Sequence, residues 1–340
     1  MTDVLTYFRD MLWHPVAMLL DSQYQTFWPT YIGTAFFAAG VYMWKRRGKP
    51  LRLRAIFRYL FPKKIFRHPS TALDLKLYIT GAFFIFLQAG LLLSFSTYLN
   101  GWQEDILIWM SGHPEPLLDT VPVWYKILFP VIFVLLFELG YWLTHYWMHV
   151  IPVLWEYHKV HHSAVVMTPL TELRQHPLEL LLFPFVIATT VSPLYALTFW
   201  LFGENAEIYY FWSFPFFLIV AFSTIGHLRH SHVKIGANRF WSCVIQTPAH
   251  HHIHHSMEPK HFDKNMGFCL AVWDWMFGTL SIPQKGQKIE FGIEDDLKES
   301  YSLRDHMIEP IKQSYRVLTN RKKPFSASFF LSQQKKTTDG

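Results

Sequence analysis

Histidines recur in this chain at spacings that place several imidazoles on one side of a helix. His145 and His149 are four residues apart, and residues i and i+4 of a helix share a face. The segment 158–162 (HKVHH) offers positions i, i+3 and i+4, and TPAHHHIHHS at 247–256 repeats that spacing from His251. Because neutral imidazole is a common ligand of zinc, iron, copper and nickel, the pattern predicts metal binding.

These histidines are too many for one ion. Packed imidazoles without a metal would be costly to bury and would repel one another when protonated, which disfavours a chance cluster. Eight ligands exceed the coordination of a tetrahedral or octahedral ion, so the sequence predicts two metal ions. The eight histidines are His145, His149, His158, His161, His162, His251, His254 and His255.

Other histidines lie near these clusters. His176, in the run RQHPLE, precedes a proline and either caps a helix or binds metal. In the run GHLRHSH, His230 is the favoured ligand, and His227 and His232 are additional candidates. The scattered histidines, which we interpret as structural, are His14, His68, His113, His261 and His306.

The composition favours a membrane protein with one integrated body. Only 16% of the residues are charged, against about 25% in ordinary soluble domains. The hydrophobic share is 51% and the aromatic share 18%, which suits side chains at membrane interfaces. The net charge of +6 comes largely from one basic loop, so it indicates topology and not nucleic-acid binding. Cys243 and Cys269 are too few for a disulfide framework and form no CxxC pair.

Apolar stretches predict an all-α, polytopic membrane helix bundle of four to five spans, each needing about 20 residues. The last two stretches form either a full hairpin or a re-entrant pair. The N-terminal residues lack the basic region and cleavage site of a removable signal peptide. The stretches are approximately 27–44, 75–99, 123–143, 178–200 and 208–225.

Loop charges orient this bundle. The loop 45–68 is rich in lysine and arginine and has no acidic residue, so the positive-inside rule places it in the cytoplasm. The loop 100–122 contains acidic residues and no lysine or arginine, and it belongs on the opposite side. Every histidine cluster then falls on the cytoplasmic face. We therefore predict a cytosolic, histidine-rich di-metal cap.

The order of the motifs resembles the fatty acid hydroxylase/sterol desaturase superfamily of membrane di-metal oxygenases. The resemblance covers about 122–282, roughly half of the chain. It implies a catalytic domain at 122–282, preceded by a membrane region at 1–121 and followed by a polar C-terminal region at 283–340 that is partly disordered. The motifs are HYWMH, HKVHH, HSH, HHHIHH and NMGFCLAVWDWMFGT, with RQHPLE, the D-x-N-x-G of 263–267 and the WDxxFGT of 273–279 as further matches.

The resemblance implies a site with two irons that hydroxylates or desaturates a lipid C–H bond using O2 and two electrons. His250 matches a further family histidine, as an additional candidate. Carried over by position, the implied ligands are His145, His149, His158, His161, His162, His230, His251, His254 and His255.

Two positions depart from the family pattern. The third motif commonly reads His-Ser-Asn, and His232 stands here in place of the asparagine, which leaves the number of ligands in this region open. Glu172 stands where an apolar residue is common. It either orients a ligand histidine or is solvated, and we favour the solvated side chain.

The chemistry of unactivated C–H bonds requires an oxidising metal–oxygen species, because acid–base groups do not break them. The chain has no CxxCH, Cys-rich iron–sulfur pattern or GxGxxG. We therefore expect a separate electron donor, a ferredoxin or b-type cytochrome with an NAD(P)H reductase. The expected substrate is a fatty acyl or sterol-like lipid from the bilayer. Nothing in the sequence separates hydroxylation from desaturation. The identity of the metal is also open, because imidazole sites take up zinc during purification.

The alternative function is a histidine-rich membrane metal-binding or metal-transport protein without redox catalysis. A transporter would place ionisable residues near the bilayer midplane, whereas these clusters lie at helix ends. A zinc hydrolase would show HExxH, which the sequence lacks. A bis-histidine haem protein would need single histidines deep within facing spans.

Overall fold

The computed structural model describes residues 2–203, 216–295, 297 and 300–319. Within these ranges the chain is helical, with two isolated β-bridges and no extended strand. The helices up to the first long one are α1 (Thr2–Leu20), α2 (Trp28–Lys45), α3 (Leu53–Leu60), α4 (Lys63–Phe66) and α5 (Pro69–Ser111). The next are α6 (Val123–Val150), α7 (Pro152–His162), α8 (Pro177–Phe202) and α9 (Phe216–Arg229), which contains a π-helical turn. The last are α10 (Arg239–Ser242), α11 (Pro248–His254), α12 (Val272–Phe277) and α13 (Leu303–Thr319).

Three of the described helices, α5, α6 and α8, are long and apolar enough to cross a membrane. They correspond to the second, third and fourth predicted spans, so the all-α membrane bundle is confirmed. The first predicted span forms α2, whose 18 residues are not apolar enough to qualify. The fifth lies partly outside the described residues, and its visible part is the shorter α9. The terminal segment SQQKKTTDG also lies outside them.

The helix α8 packs against both α5 and α6 and forms the centre of the bundle. Close approach of α6 to α8 requires Gly140, because a Cβ there would lie 2.4 Å from Thr190 Oγ1 and 2.9 Å from Ile187 Cα. A stripe of aromatic residues four apart on α6 fills the space between the helices. It contains Tyr125, Phe129, Phe133 and Phe137, which pack with Leu194, Phe202, Phe222 and Phe268.

The two ends of the bundle differ. At one end, the amide of Leu118 in the 112–122 loop donates to the carbonyl of Leu201 at the end of α8. At the other end lie the C-terminus of α6, the whole of α7 and the start of α8, with α13 packed on α7. Every histidine motif lies at this second end, which we call the histidine end.

A buried arginine ties the helices of the histidine end together. Arg174 is fully buried, and its Nη1 lies 2.9 Å from Asp74 Oδ1 on α5. Its Nε donates to the carbonyl of Val160 and to Ser163 Oγ at the end of α7. The guanidinium therefore fixes the C-terminal turn of α7 against α5, and α7 as a whole carries three of the clustered histidines.

We expect Asp74→Asn to destabilise the protein, because it leaves the charge of Arg174 buried without its partner. Removing one member of a buried pair costs about 3–5 kcal/mol. The thermal midpoint of the detergent-solubilised chain measures the effect. As a control, Glu309→Gln removes the partner of the exposed Lys312 and should leave the midpoint unchanged. Equal midpoints for Asp74→Asn and the wild-type chain would contradict the assigned role.

Candidate metal centre

Nine buried histidines converge at the histidine end in two adjoining groups. Within each group, one nitrogen from every ring lies within 4.8 Å of those of the other rings. The two groups touch through His162 and His255, whose ring centroids are 4.4 Å apart. The five-histidine group contains His145, His149, His158, His162 and His254, and the four-histidine group contains His161, His230, His251 and His255.

The helical spacing of the motifs divides their side chains between the two groups. On α7, His158 and His162 face the five-histidine group, and His161 faces the four-histidine group. The α11 motif behaves likewise, since His254 joins the five-histidine group while His251 and His255 join the four-histidine group. Each HxxHH run therefore forms a wall shared by both groups, which explains why the three-and-four spacing is needed.

Backbone carbonyls fix the tautomer of two members of the five-histidine group. His145 Nδ1 lies 2.7 Å from the Met266 carbonyl, and His254 Nδ1 lies 2.9 Å from the Lys264 carbonyl. Since a carbonyl only accepts, each Nδ1 carries the proton and each Nε2 presents a lone pair. The buried Nε2 of His254 has no hydrogen-bond partner among the described residues, and the same holds for His149.

Carboxylates hold other rings of this group. His158 Nδ1 lies 2.9 Å from Glu179 Oε1, and His149 Nδ1 lies 3.4 Å from Asp263 Oδ1. For His158, donation from Nδ1 to the Glu179 carboxylate turns Nε2 inward and makes the imidazole a stronger ligand, an arrangement typical of metal-binding histidines.

The four-histidine group is similarly compact. His230 Nε2 lies 3.0 Å from His161 Nε2, 3.2 Å from His255 Nε2 and 2.7 Å from His251 Nε2. Behind these rings, His230 Nδ1 lies 3.3 Å from Glu172 Oε2. On the other side, Arg229 Nη2 lies 3.3 Å from His251 Nδ1.

The nitrogen–nitrogen distances fit bound metal ions. Two nitrogens that each bind one ion at about 2.1 Å, at a right angle, lie about 3.0 Å apart. The Nε2 atoms of His145 and His162 both lie 3.1 Å from His158 Nε2, and the four-histidine group shows similar spacing. Lone pairs this close repel each other unless a cation lies between them, so each group suits one ion.

Burial keeps these rings neutral. Desolvation lowers the pKa of the clustered histidines outside the spanning helices well below 6.5, and that of His254 falls to about 3. Neighbouring imidazoles lower it further, because a second proton would be repelled. At neutral pH the nitrogens are therefore available as ligands.

The D-x-N-x-G motif forms the loop that supplies the fixing carbonyls. Asp263 and Asn265 both have positive φ, which asparagine and aspartate tolerate better than most residues. The Asn265 side chain donates to the carbonyls of His250 and Ser281 and accepts from the Ser281 amide. Gly267 has no room for a Cβ, which would lie 2.2 Å from the Leu270 carbonyl.

The aspartate of WDxxFGT holds this loop against α6. Asp274 is fully buried and accepts from the amides of Met266 and Gly267 and from the indole of Trp142. Glu138 on α6 accepts from the amides of Phe268 and Cys269 just beyond. Two carboxylates thus position the segment whose carbonyls orient the histidines.

Glu172 corrects one expectation from the sequence. We favoured a solvated side chain, but Glu172 is buried and lies against His230. Glu179, Asp263 and Asp274 lie in motifs that matched the family, but the sequence assigned no role to them or to Glu138. For Glu138, the signal was available, since an acidic residue within an apolar span usually has a structural or functional partner.

The additional candidates lie outside both histidine groups. His176 caps α8, its Nδ1 accepting from the Leu178 amide. His227 forms a hydrogen bond with Thr30, and its ring stacks on that of Tyr31. His232 donates to the Tyr59 carbonyl, and His250 forms the capping box of α11 with Thr247.

The comparisons with known proteins concern the same part of the chain. Residues 130–279 match the model of the family described as "Fatty acid hydroxylase". An alkylglycerol monooxygenase of Danio rerio is 27% identical over 168 residues, covering 46% of this chain and 31% of that protein. The alkylglycerol monooxygenase of Homo sapiens is 26% identical over 201 residues, covering 58% and 37%. An ornithine lipid hydroxylase of Rhizobium tropici is 26% identical over 194 residues, covering 56% and 53%.

The matched segment is similar to the fatty acid hydroxylase family, and this similarity confirms the resemblance found in the sequence. It contains all nine clustered histidines and the loop that orients them. The alignments span about a third to a half of the length of the curated relatives. No solved structure gives a significant match.

We expect the metal-free protein to lose stability as the pH falls from about 7 to about 5. The folded-state pKa values of the buried histidines lie below the unfolded value of about 6.5, so the unfolded chain binds more protons. Each such histidine then lowers the free energy of unfolding by about 1.4 kcal/mol for every pH unit below the unfolded-state pKa. Thermal midpoints of chelator-treated protein measure the slope, which His254→Gln should make shallower. A midpoint independent of pH would contradict this account.

We expect Glu179→Gln to weaken metal binding about 10- to 100-fold, because His158 loses the carboxylate that orients it. Competition with a chromogenic chelator measures the affinity. Glu115→Gln changes an exposed carboxylate in the 112–122 loop, at the end of the bundle opposite the rings, and serves as the control. Equal affinities for Glu179→Gln and the wild-type chain would exclude this role of Glu179.

Proposed function

We propose that this chain is a membrane-bound di-iron oxygenase that hydroxylates a lipid using O2 and two external electrons. The observation that carries the proposal is the pair of histidine groups whose buried, neutral nitrogens converge at metal-ligand distances. The names of the relatives, alkylglycerol monooxygenase and ornithine lipid hydroxylase, support lipid oxygenation.

Each histidine group would hold one iron. The proposed ligands are His145, His149, His158, His162 and His254 for one ion, and His161, His230, His251 and His255 for the other. Bound iron would supply the activation of O2 and the oxidation of a C–H bond. The protein's part is to hold the nitrogens neutral and inward, through the carbonyls of Met266 and Lys264 and the carboxylates of Glu172 and Glu179.

Aromatic side chains surround the five-histidine group. Tyr141 and Phe183 pack against the ring of His145 on the side of the bundle. Trp155 packs against His149 and His162 on the outer side. These rings give the histidines apolar neighbours, and on the side of the membrane helices such neighbours suit the hydrocarbon part of a fatty acyl or sterol-like lipid.

The overall reaction converts a lipid C–H bond and O2, with two electrons and two protons, into a C–OH group and water. We prefer hydroxylation to desaturation because the named relatives are a monooxygenase and a hydroxylase. The electrons would come from a separate ferredoxin or b-type cytochrome with an NAD(P)H reductase. In this proposal the histidine end faces the cytoplasm, in agreement with the basic loop 45–68.

We expect about two irons per chain in protein purified without oxygen, because two histidine groups each suit one ion. His254→Ala and His161→Ala, one from each group, should lower the iron content while the protein still inserts into membranes. Elemental analysis measures the metal, and His113→Ala, at an exposed site, is the control. Unchanged iron in both variants would overturn the ligand assignment. Two zinc ions retained after anaerobic loading with iron would favour the metal-binding alternative without redox catalysis.

We expect cells that express the chain under isotopically labelled O2 to accumulate a lipid carrying one labelled hydroxyl group. Mass spectrometry of extracted lipids detects the product, and the His254→Ala chain provides the matched control. The labelled lipid should be absent from that control, because the variant lacks a complete five-histidine group. A new double bond without labelled oxygen would show that the reaction is desaturation and not hydroxylation. Identical lipids in both cultures would contradict the proposed activity.

A further inference from the structure

A basic, amphipathic surface lies at the histidine end, outside both histidine groups. It consists of α3, α4 and their flanking residues, 51–67, and we call it the basic surface. This segment contains no acidic residue. Its exposed cationic side chains are Arg52, Arg54, Arg58, Lys63, Lys64 and Arg67. Its exposed apolar side chains are Leu51, Leu53, Phe57, Phe61 and Phe66, with Leu53 86% and Phe57 64% exposed.

The inner side of α3 is bound to the segment that follows α9. Tyr59 and Leu60 pack against Leu228 and Val233. His232 Nε2 donates to the Tyr59 carbonyl over 2.6 Å, and the two rings are in edge contact. This contact accounts for the departure of His232 from the family pattern. The imidazole of His232 binds α3 and does not join the histidine groups.

The position of the basic surface brings it to membrane level. Helix α4 ends three residues before α5, the first membrane-crossing helix, begins at Pro69. The chain has no length in which to move away from the bilayer between these two helices. Since α3 is held on its inner side, its outer side faces the headgroup region.

We propose that the basic surface binds anionic phospholipid headgroups. Exposed large apolar side chains that alternate with arginine and lysine are typical of helices lying in the membrane interface, with the apolar groups in the acyl boundary and the cations on phosphates. Such a surface would be costly to leave in water, because most of the Leu53 and Phe57 side chains is exposed. The proposal does not depend on the oxygenase activity.

A fluorescent probe on the outer side of α3 tests the proposal. The full chain carrying Phe57→Cys, with Cys243→Ser and the buried Cys269 retained, is labelled with the dye NBD. It is reconstituted into vesicles of phosphatidylcholine, with or without phosphatidylglycerol. We expect blue-shifted emission that spin-labelled lipids quench, and stronger quenching as the fraction of phosphatidylglycerol rises. A probe at Lys312→Cys, exposed on α13, is the control and should remain water-like.

Charge variants separate anionic lipid binding from simple insertion. Arg54→Gln with Arg58→Gln should weaken the apparent affinity for phosphatidylglycerol about 25-fold, at about fivefold for each cation removed. A variant that elutes as a single species in detergent shows that the fold is intact. Quenching that is equal with and without phosphatidylglycerol, or a water-like probe at position 57 in both vesicles, would overturn the proposal.

Discussion

The mutual repulsion of imidazole lone pairs at close range is the constraint on which the rest of this structure depends. Nine neutral histidines bring their ring nitrogens within 4.8 Å of one another in two small groups, and several pairs of these nitrogens are about 3 Å apart. The surrounding protein must therefore hold each ring in place from behind, and the proposed irons would then complete the site by taking up the lone pairs.

The support behind the rings is made of buried carboxylates and one irregular loop. Glu179 and Glu172 act directly on histidines, whereas Asp274 and Glu138 act through the loop whose carbonyls reach His145 and His254. A loop suits this task better than a helix does, because its carbonyls are not engaged in helical hydrogen bonds and can accept from Nδ1. The positive φ of Asn265 and the missing Cβ of Gly267 permit this shape.

The helix bundle provides the rigid base and the apolar side of the site. The close contact between α6 and α8 at Gly140 holds the helices that carry His145 and Glu179 in a fixed relation. The aromatic stripe of α6 continues through Tyr141 to that histidine, so the same helix face passes from hydrocarbon packing to ligand chemistry. Around this base, the proposed lipid contact of the basic surface would hold the histidine end close to the bilayer, where a lipid substrate lies.

Local periodicity let the sequence determine the membrane helices, the histidine motifs and the family. Apolar runs of sufficient length identified α5, α6 and α8, and the i, i+3 and i+4 spacings of three motifs identified eight of the nine histidines that the fold brings together, with His230 added from the GHLRHSH run. Both signals depend on neighbours along one helix, which a sequence displays directly. The tertiary structure alone decided which histidines of different motifs meet in each group, and that Glu172 is buried against His230 while His232 is bound to α3. These outcomes depend on contacts between residues far apart in the chain, and no local spacing encodes them.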